Sequence, residues 1–258
     1  MFSSDQMIDY IDWFHGPLRG DDEQRDHKGN MISSLLNPKL TIGITNYWNL
    51  TLGTTLGQRS MGWESGFNSI HHRDESTSTD FNNSIGGYLG DSKVIANYLV
   101  FNDGQGIGKR FYLGGGLVIP SKNTLTSDPF FLGGEEKEQH RHFSLSEGVY
   151  KSIFETQYFL KRNTNPVFIG GVFTLTSPLM ENKYGFKSGT VYDVALTGIT
   201  KEIVRLKGAL GSSINIQKNT GSFWNGKLAP NSKSTILVFG ISSVWSIKHS
   251  GINFNIRV

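Results

Sequence analysis

Residues 204–217 read VRLKGALGSSINIQ, and taking every second letter gives two unlike sets. One is Val204, Leu206, Gly208, Leu210, Ser212, Ile214 and Ile216; the other is Arg205, Lys207, Ala209, Gly211, Ser213, Asn215 and Gln217. A β-strand sends successive side chains to opposite faces, so this stretch predicts a strand with one oily face and one polar or small one. Such a strand divides either a protein core from water or a lipid bilayer from an aqueous interior. Deciding between the two decides the fold.

The chain around it has 258 residues, 37% hydrophobic and only 18% charged, with 31 glycines. No apolar run approaches the ~20 residues of a membrane-spanning helix, which excludes helical membrane proteins but leaves barrels untouched, because their alternating strands escape hydropathy scans. Cysteine is absent, so disulfides and thiolate metal sites are excluded. A net charge of +3 without a dense basic run gives no footprint for nucleic acid. Residues 1–30 read as a polar N-terminal loop segment, within which MIDYIDWF suggests a short amphipathic helix with Met7, Ile11 and Phe14 on one side. They lack the basic start and apolar run of a secretion signal, so an exported protein is expected to carry one further upstream.

Residues 31–258 read as one β domain. Alternating segments recur at 35–45, 48–58, 91–102, 109–119, 148–161, 166–176, 189–199, 203–217, 234–244 and 251–258, ten in all. The connections alternate between short turns (near Tyr47, DGQGIG, RNTN, around Lys201, WSIKHS) and long loops (64–84, 120–147, 177–188, 218–233). A Greek-key sandwich has no reason to keep that order, whereas an up-and-down barrel in an outer membrane does. Tyr47, Trp48, Phe101, Phe111, Tyr158, Phe159 and Trp245 fall near the short turns, and Trp63, Tyr184 and Trp224 near the long loops, as two interfacial girdles would. The reading is an all-β, antiparallel transmembrane β-barrel with ten strands here. Both chain ends fall on the long-loop side in this reading. One strand before residue 1 and another after residue 258 are therefore expected, making twelve.

The strings GDSKVIANYLVFN (90–102), GKRFYLGGGLVIPSKN (108–123) and NTGSFWNGKLAPNSKSTILVFGISSVWSIKHSGINFNIRV (219–258) carry a resemblance. They are similar to outer-membrane β-barrel transporters linked to the meta-pathway of phenol degradation. Gly90-Asp91, Arg110 through Pro120, Asn219-Thr220-Gly221 and Leu228-Ala229-Pro230 through Trp245 occupy that family's motif places. The sequence departs from the pattern at Lys122 and Ser222, where the family has glycine. The resemblance, over roughly residues 40–258, implies a twelve-strand barrel and a transport role, with no catalytic residue and no named solute.

On the barrel reading the inward charges are Lys39, Lys93, Arg110, Lys151, Glu155, Asp193, Arg205, Lys207 and Arg257. Bases outnumber acids, so passage of small, anionic or aromatic-acid-sized solutes is expected. The expected surroundings are outer-membrane lipid, with no cofactor. Two loops hold metal-ligand types, His71 and His72 in one and His140 and His142 in the next, a pattern weaker than solvated loop polarity. His142-Phe-Ser144 puts a base and a hydroxyl on one strand face, the pairing of a lipid deacylase, with Glu147 or Glu155 to orient the base. The soluble rival is a secreted β-sandwich binding carbohydrate or surface partners through Trp63, Trp224 and Tyr184.

Overall fold

The computed structural model describes residues 1–15, 26–64, 87–132, 144–247 and 250–257. Fourteen strands follow in chain order: β1 (Phe2–His15), β2 (His27–Gly43), β3 (Trp48–Trp63), β4 (Leu89–Asn102), β5 (Gly108–Ile119), β6 (Lys151–Lys161), β7 (Phe168–Pro178), β8 (Phe186–Lys187), β9 (Val191–Ile199), β10 (Ala209–Thr220), β11 (Phe223–Trp224), β12 (Lys227–Leu228), β13 (Lys233–Ile247) and β14 (Ser250–Arg257). Eleven of them form one sheet in the order β1-β2-β3-β4-β5-β6-β7-β9-β10-β13-β14, every neighbouring pair antiparallel. The sheet curls into a half-barrel. The three short strands make a separate sheet, β12-β11-β8, among the long connections.

Each of the ten predicted segments is a strand. The sheet has an eleventh, β1, where the sequence suggested a polar loop and a short helix. Phe2 pairs with Leu40, and the Met1 ammonium donates to the Thr41 carbonyl at 2.7 Å, so the N-terminus lies on the short-turn side rather than the long-loop side. Residues 2–15 thus add a strand ahead of the first one read from the sequence.

Among the described residues, connections 44–47, 103–107, 162–167 and 200–208 lie on one side, and 87–88, 120–132, 144–150, 179–190 and 221–232 on the other. The link 200–208 is longer than expected because β10 starts at Ala209, not 203. Residues 203–208 form a turn closed by an Ile203–Gly208 bridge, with the Leu206 amide donating to Ile203 and the Lys207 amide to Val204. Lys207 takes a φ of 49°, which ends the extended run.

The two faces of the sheet differ in the sense opposite to that of a water-soluble protein. Along β10, Leu210, Ser212, Ile214 and Ile216 are exposed, while Ala209, Gly211, Ser213, Asn215 and Gln217 are covered or half-covered. The same alternation runs through β5, where Leu113, Leu117 and Ile119 are exposed and Val118 is 2% exposed, and through β9 with Tyr192, Val194 and Leu196 outward. On β13, Leu237, Phe239 and Ile241 are open, Ile241 at 71%. Large apolar groups bared in contiguous rows have no stable place in water; at about 25 cal/mol per Å² they require an apolar medium. A single continuous sheet, with no second sheet packed on its oily face among the described residues, overturns the sandwich.

Aromatic rings gather at the short-turn rim of this bare face. Trp48 packs on Tyr98 at 5.0 Å and Tyr47 on Tyr98 at 6.2 Å, while Phe101, Phe111 and Tyr158 stand in one cross-strand row. Phe159 belongs to the opposite face, where it stacks on Phe168 at 5.7 Å. At the other rim the girdle residues differ from those expected. Tyr88, Tyr150 and Tyr192 are exposed there, whereas Trp224 is 3% exposed. The side chain of Trp63 lies outside the described residues.

Candidate functional site

The face opposite the bare apolar rows is the candidate site. Directly opposed residues of neighbouring strands share a face, so register places the charges. Lys39 lies opposite Gly53, Gly53 opposite Lys93, Lys93 opposite Val118 and Val118 opposite Lys151, one row across five strands. Successive lysines are two strands apart, about 10 Å between backbones. Gly53 and Val118, which carry no polar atom, separate them. Lys151 is ion-paired with Glu147, and Lys39 approaches Asp5 at 3.7 Å. Lys93 makes no ion pair among the described residues.

The acids fall in another row. Glu155 lies opposite Thr174, and Thr174 opposite Asp193. Gln157 donates to Glu155, and the Asn215 side-chain amide donates to Asp193 at 3.0 Å. Asn97 and Asn49 continue that row on the far side, 3.4 Å apart. Arg110 also faces inward, but its guanidinium donates to the carbonyls of Gly104 and Gly106 in the short turn beside it, at 2.9 and 3.2 Å.

Lys39, Lys93, Arg110, Lys151, Glu155 and Asp193 therefore share the face the sequence assigns them. Arg205 and Lys207 do not: they sit in the 203–208 turn, off the strand wall. The backbone of Arg257 pairs with Gly240 on the covered side, and its side chain lies outside the described residues. Sequence reading missed Asp5, Asp9, Arg59 and Asp91. The first two belong to the unrecognised β1. Arg59 lies one residue past the predicted end of its strand. Asp91 sits at a register shift, two positions from Lys93, where alternation could have found it.

The long-connection end of this face carries a packed layer of loops. Asn123 accepts from the Leu145 amide at 3.0 Å and donates to the Gly87 carbonyl. Both Asp128 carboxylate oxygens accept backbone N–H groups, from Phe130 and Leu132, at 2.8 Å each. Asn182 binds Tyr184, Phe186 and the Glu147 carbonyl. Trp224 packs on Phe186 at 4.9 Å beside Ala229. Around these lies a cavity of about 210 Å³ lined by Phe130, Ser146, Glu147 and Trp224 among others. Two contacts fasten the layer to the wall. Arg59 donates to the Ser144 carbonyl at 2.8 Å, and the Leu145 carbonyl packs against Gly90. The Gly90-Asp91 motif thus marks the place where loop meets wall: a Cβ on Gly90 would stand 2.9 Å from the Leu145 carbonyl oxygen.

His71, His72, His140 and His142 lie outside the described residues. Among the described residues no cluster of three metal-ligating side chains occurs. The Ser144 hydroxyl donates to the Ser146 carbonyl at 2.7 Å.

No protein-family model and no curated protein matches the chain. Among solved structures, the chain is similar to the crystal structure of the COG4313 outer membrane channel from Pseudomonas putida F1. The TM-score is 0.59 over 98% of this chain and 88% of that one, at 12% sequence identity. At that identity the likeness is one of fold: this chain has the strand architecture of an outer-membrane channel's β-barrel.

Proposed function

We propose that the chain is the wall of a porin-like channel of a bacterial outer membrane, passing small polar solutes and favouring anions. The observation that carries the reading is the inverted amphipathicity of the sheet. Leu210, Ile214, Ile216, Leu237 and Phe239 are bare on one side, while lysines, asparagines and threonines are gathered on the other. Hydrocarbon satisfies the first face and water the second. The fold similarity to an outer membrane channel supports the same conclusion.

Anion preference rests on Lys39, Lys93 and Lys151 standing in one row, with Lys93 free of an ion pair among the described residues. Of the inner acids, Glu155 and Asp193 are engaged by amide donors and lie in a different row, and Asp5 stands beside Lys39. A solute passing the lysine row meets positive potential in a confined space, where charges are weakly screened.

The test is reconstitution into planar lipid bilayers. Discrete conductance steps with a reversal potential displaced towards anions are expected, and Lys93→Glu is expected to move that potential towards cations. Proteoliposomes no leakier to small ions than empty vesicles would refute the channel. An unchanged reversal potential in Lys93→Glu would refute the lysine row as its filter.

A further inference from the structure

The long-connection rim carries a group of cations that the pore reading does not use. Connections 179–190 and 221–232 hold Lys183, Lys187 and Lys227 against the single acid Glu181, and the strand ends beside them add Lys218 and Lys233. Two of the five are engaged: Lys227 donates to the Leu132 carbonyl, and Lys183 lies 4.8 Å over the Tyr184 ring. Lys187, Lys218 and Lys233 are exposed and form no ion pair among the described residues.

Lys218 and Lys233 face outwards. Lys218 pairs with Thr235 and Thr220 with Lys233, so the two lysines are diagonal neighbours on the bare face of β10 and β13. Diagonal side chains of this kind lie about 7 Å apart, a span one phosphate can bridge. Lys187 stands opposite Phe223, and Phe223 opposite Leu228, on the exposed face of the small sheet. The stems of Lys233 and Leu228 meet over Gly221, at 2.7 and 3.1 Å from where its Cβ would be. Directly below, on the same face, lie Ile216 and Ile214, Leu237 and Phe239, and Val194 and Leu196, all exposed. Tyr192 lies opposite Lys218 at the boundary between cations and hydrocarbon.

Ammonium groups above a bare apolar column match one kind of molecule: an acylated lipid whose headgroup carries phosphate. We propose that Lys187, Lys218 and Lys233 bind the phosphate of such a lipid in the leaflet on the long-connection side, with its chains laid along Ile216, Leu237 and Phe239. This rests on the membrane reading above. A free anion could use the ammonium groups but not the column beneath them.

The test uses the full chain in neutral detergent micelles, with lipid binding counted by native mass spectrometry. The probes are bis-phosphorylated lipid A, the same lipid dephosphorylated, and inorganic phosphate. The phosphorylated lipid is expected to bind best, and Lys218→Ser/Lys233→Ser to weaken it about tenfold or more, each juxtamembrane lysine contributing roughly fivefold. Lys201→Ser, in a short turn on the opposite rim, should leave binding unchanged. Single variants, each with about a fivefold loss, carry the test if the double variant loses the heat-modifiable band of a folded barrel. Equal binding by wild type and variants overturns the proposal, as does equal binding of the dephosphorylated lipid or full displacement by inorganic phosphate. A chain that stays monodisperse without amphiphile fails earlier, at the membrane reading itself.

Discussion

Ile214 offers the sharpest discrimination between a lipid-facing and a water-facing sheet. It is the sixth of the twelve residues of β10, is 39% exposed, and stands between Leu196 and Phe239 on the bare face. Twelve residues at about 3.3 Å apiece, inclined by about 40°, cover roughly 30 Å of the bilayer normal, so Ile214 falls close to the midplane. Arginine on the lipid face at that depth costs about 2–4 kcal/mol, a roughly 30- to 700-fold shift towards the unfolded state. Ser213 is the matched control. It is one residue away on the covered face, opposite Thr197 and Gly240, where an arginine reaches water. Ile214→Arg should therefore be destabilised by about 2–4 kcal/mol, and Ser213→Arg by less than about 1 kcal/mol. Denaturant unfolding in phospholipid vesicles, followed by tryptophan emission and by heat-modifiable migration, measures both. If the exposed face met water, Ile214→Arg would change stability by no more than about 0.5 kcal/mol. Equal stability of the two variants would refute the assignment of faces.

The consecutive glycines of β5 should respond unequally. A Cβ on Gly116 would stand 2.2 Å from the Val94 carbonyl oxygen and 2.9 Å from the Ile95 Cα, so Gly116→Ala should cost about 1–3 kcal/mol. Gly115 meets nothing closer than 3.9 Å, and Gly115→Ala should be neutral or slightly stabilising in the same unfolding assay. Trp224→Ala removes a ring 3% exposed and should cost about 3–5 kcal/mol of loop-layer stability, read as faster proteolysis at the long connections with the barrel wall retained. Asp128→Ala leaves two partly buried backbone N–H groups without acceptors and should cost about 1–2 kcal/mol, detectable as accelerated amide exchange at Phe130 and Leu132.

The sheet was legible from 204–217 because period-two alternation and alternating connection lengths are local properties of the chain. What sequence reading missed, it missed for physical reasons. In β1, apolar residues occur in adjacent pairs, Met7-Ile8, Tyr10-Ile11 and Trp13-Phe14, which spoils the alternation and imitates a helix stripe; the strand is fixed by its partner β2 instead. Alternation continues through Val204 to Gly208, so nothing in the pattern marked the turn that removes Arg205 and Lys207 from the wall. Trp224 looked like a girdle residue because it neighbours a long loop. Its burial depends on Phe186 and Ala229, brought together by separate connections. Register, by contrast, placed Lys39, Lys93, Lys151, Glu155 and Asp193 together on the side alternation had given them.

The loop layer also has a mechanical meaning. Arg59 to Ser144, Asn182 to Glu147 and Lys227 to Leu132 join segments that are not consecutive hairpins. They act as a brace along one rim of the staves. At the opposite rim each stave is tied to its neighbour by its own turn, as at 44–47 and 103–107, with one tie between turns, from the Lys201 amide to Asn165. A wall built this way keeps its curvature at the braced end and yields first at the other, so its breathing is expected to begin at the short-turn rim.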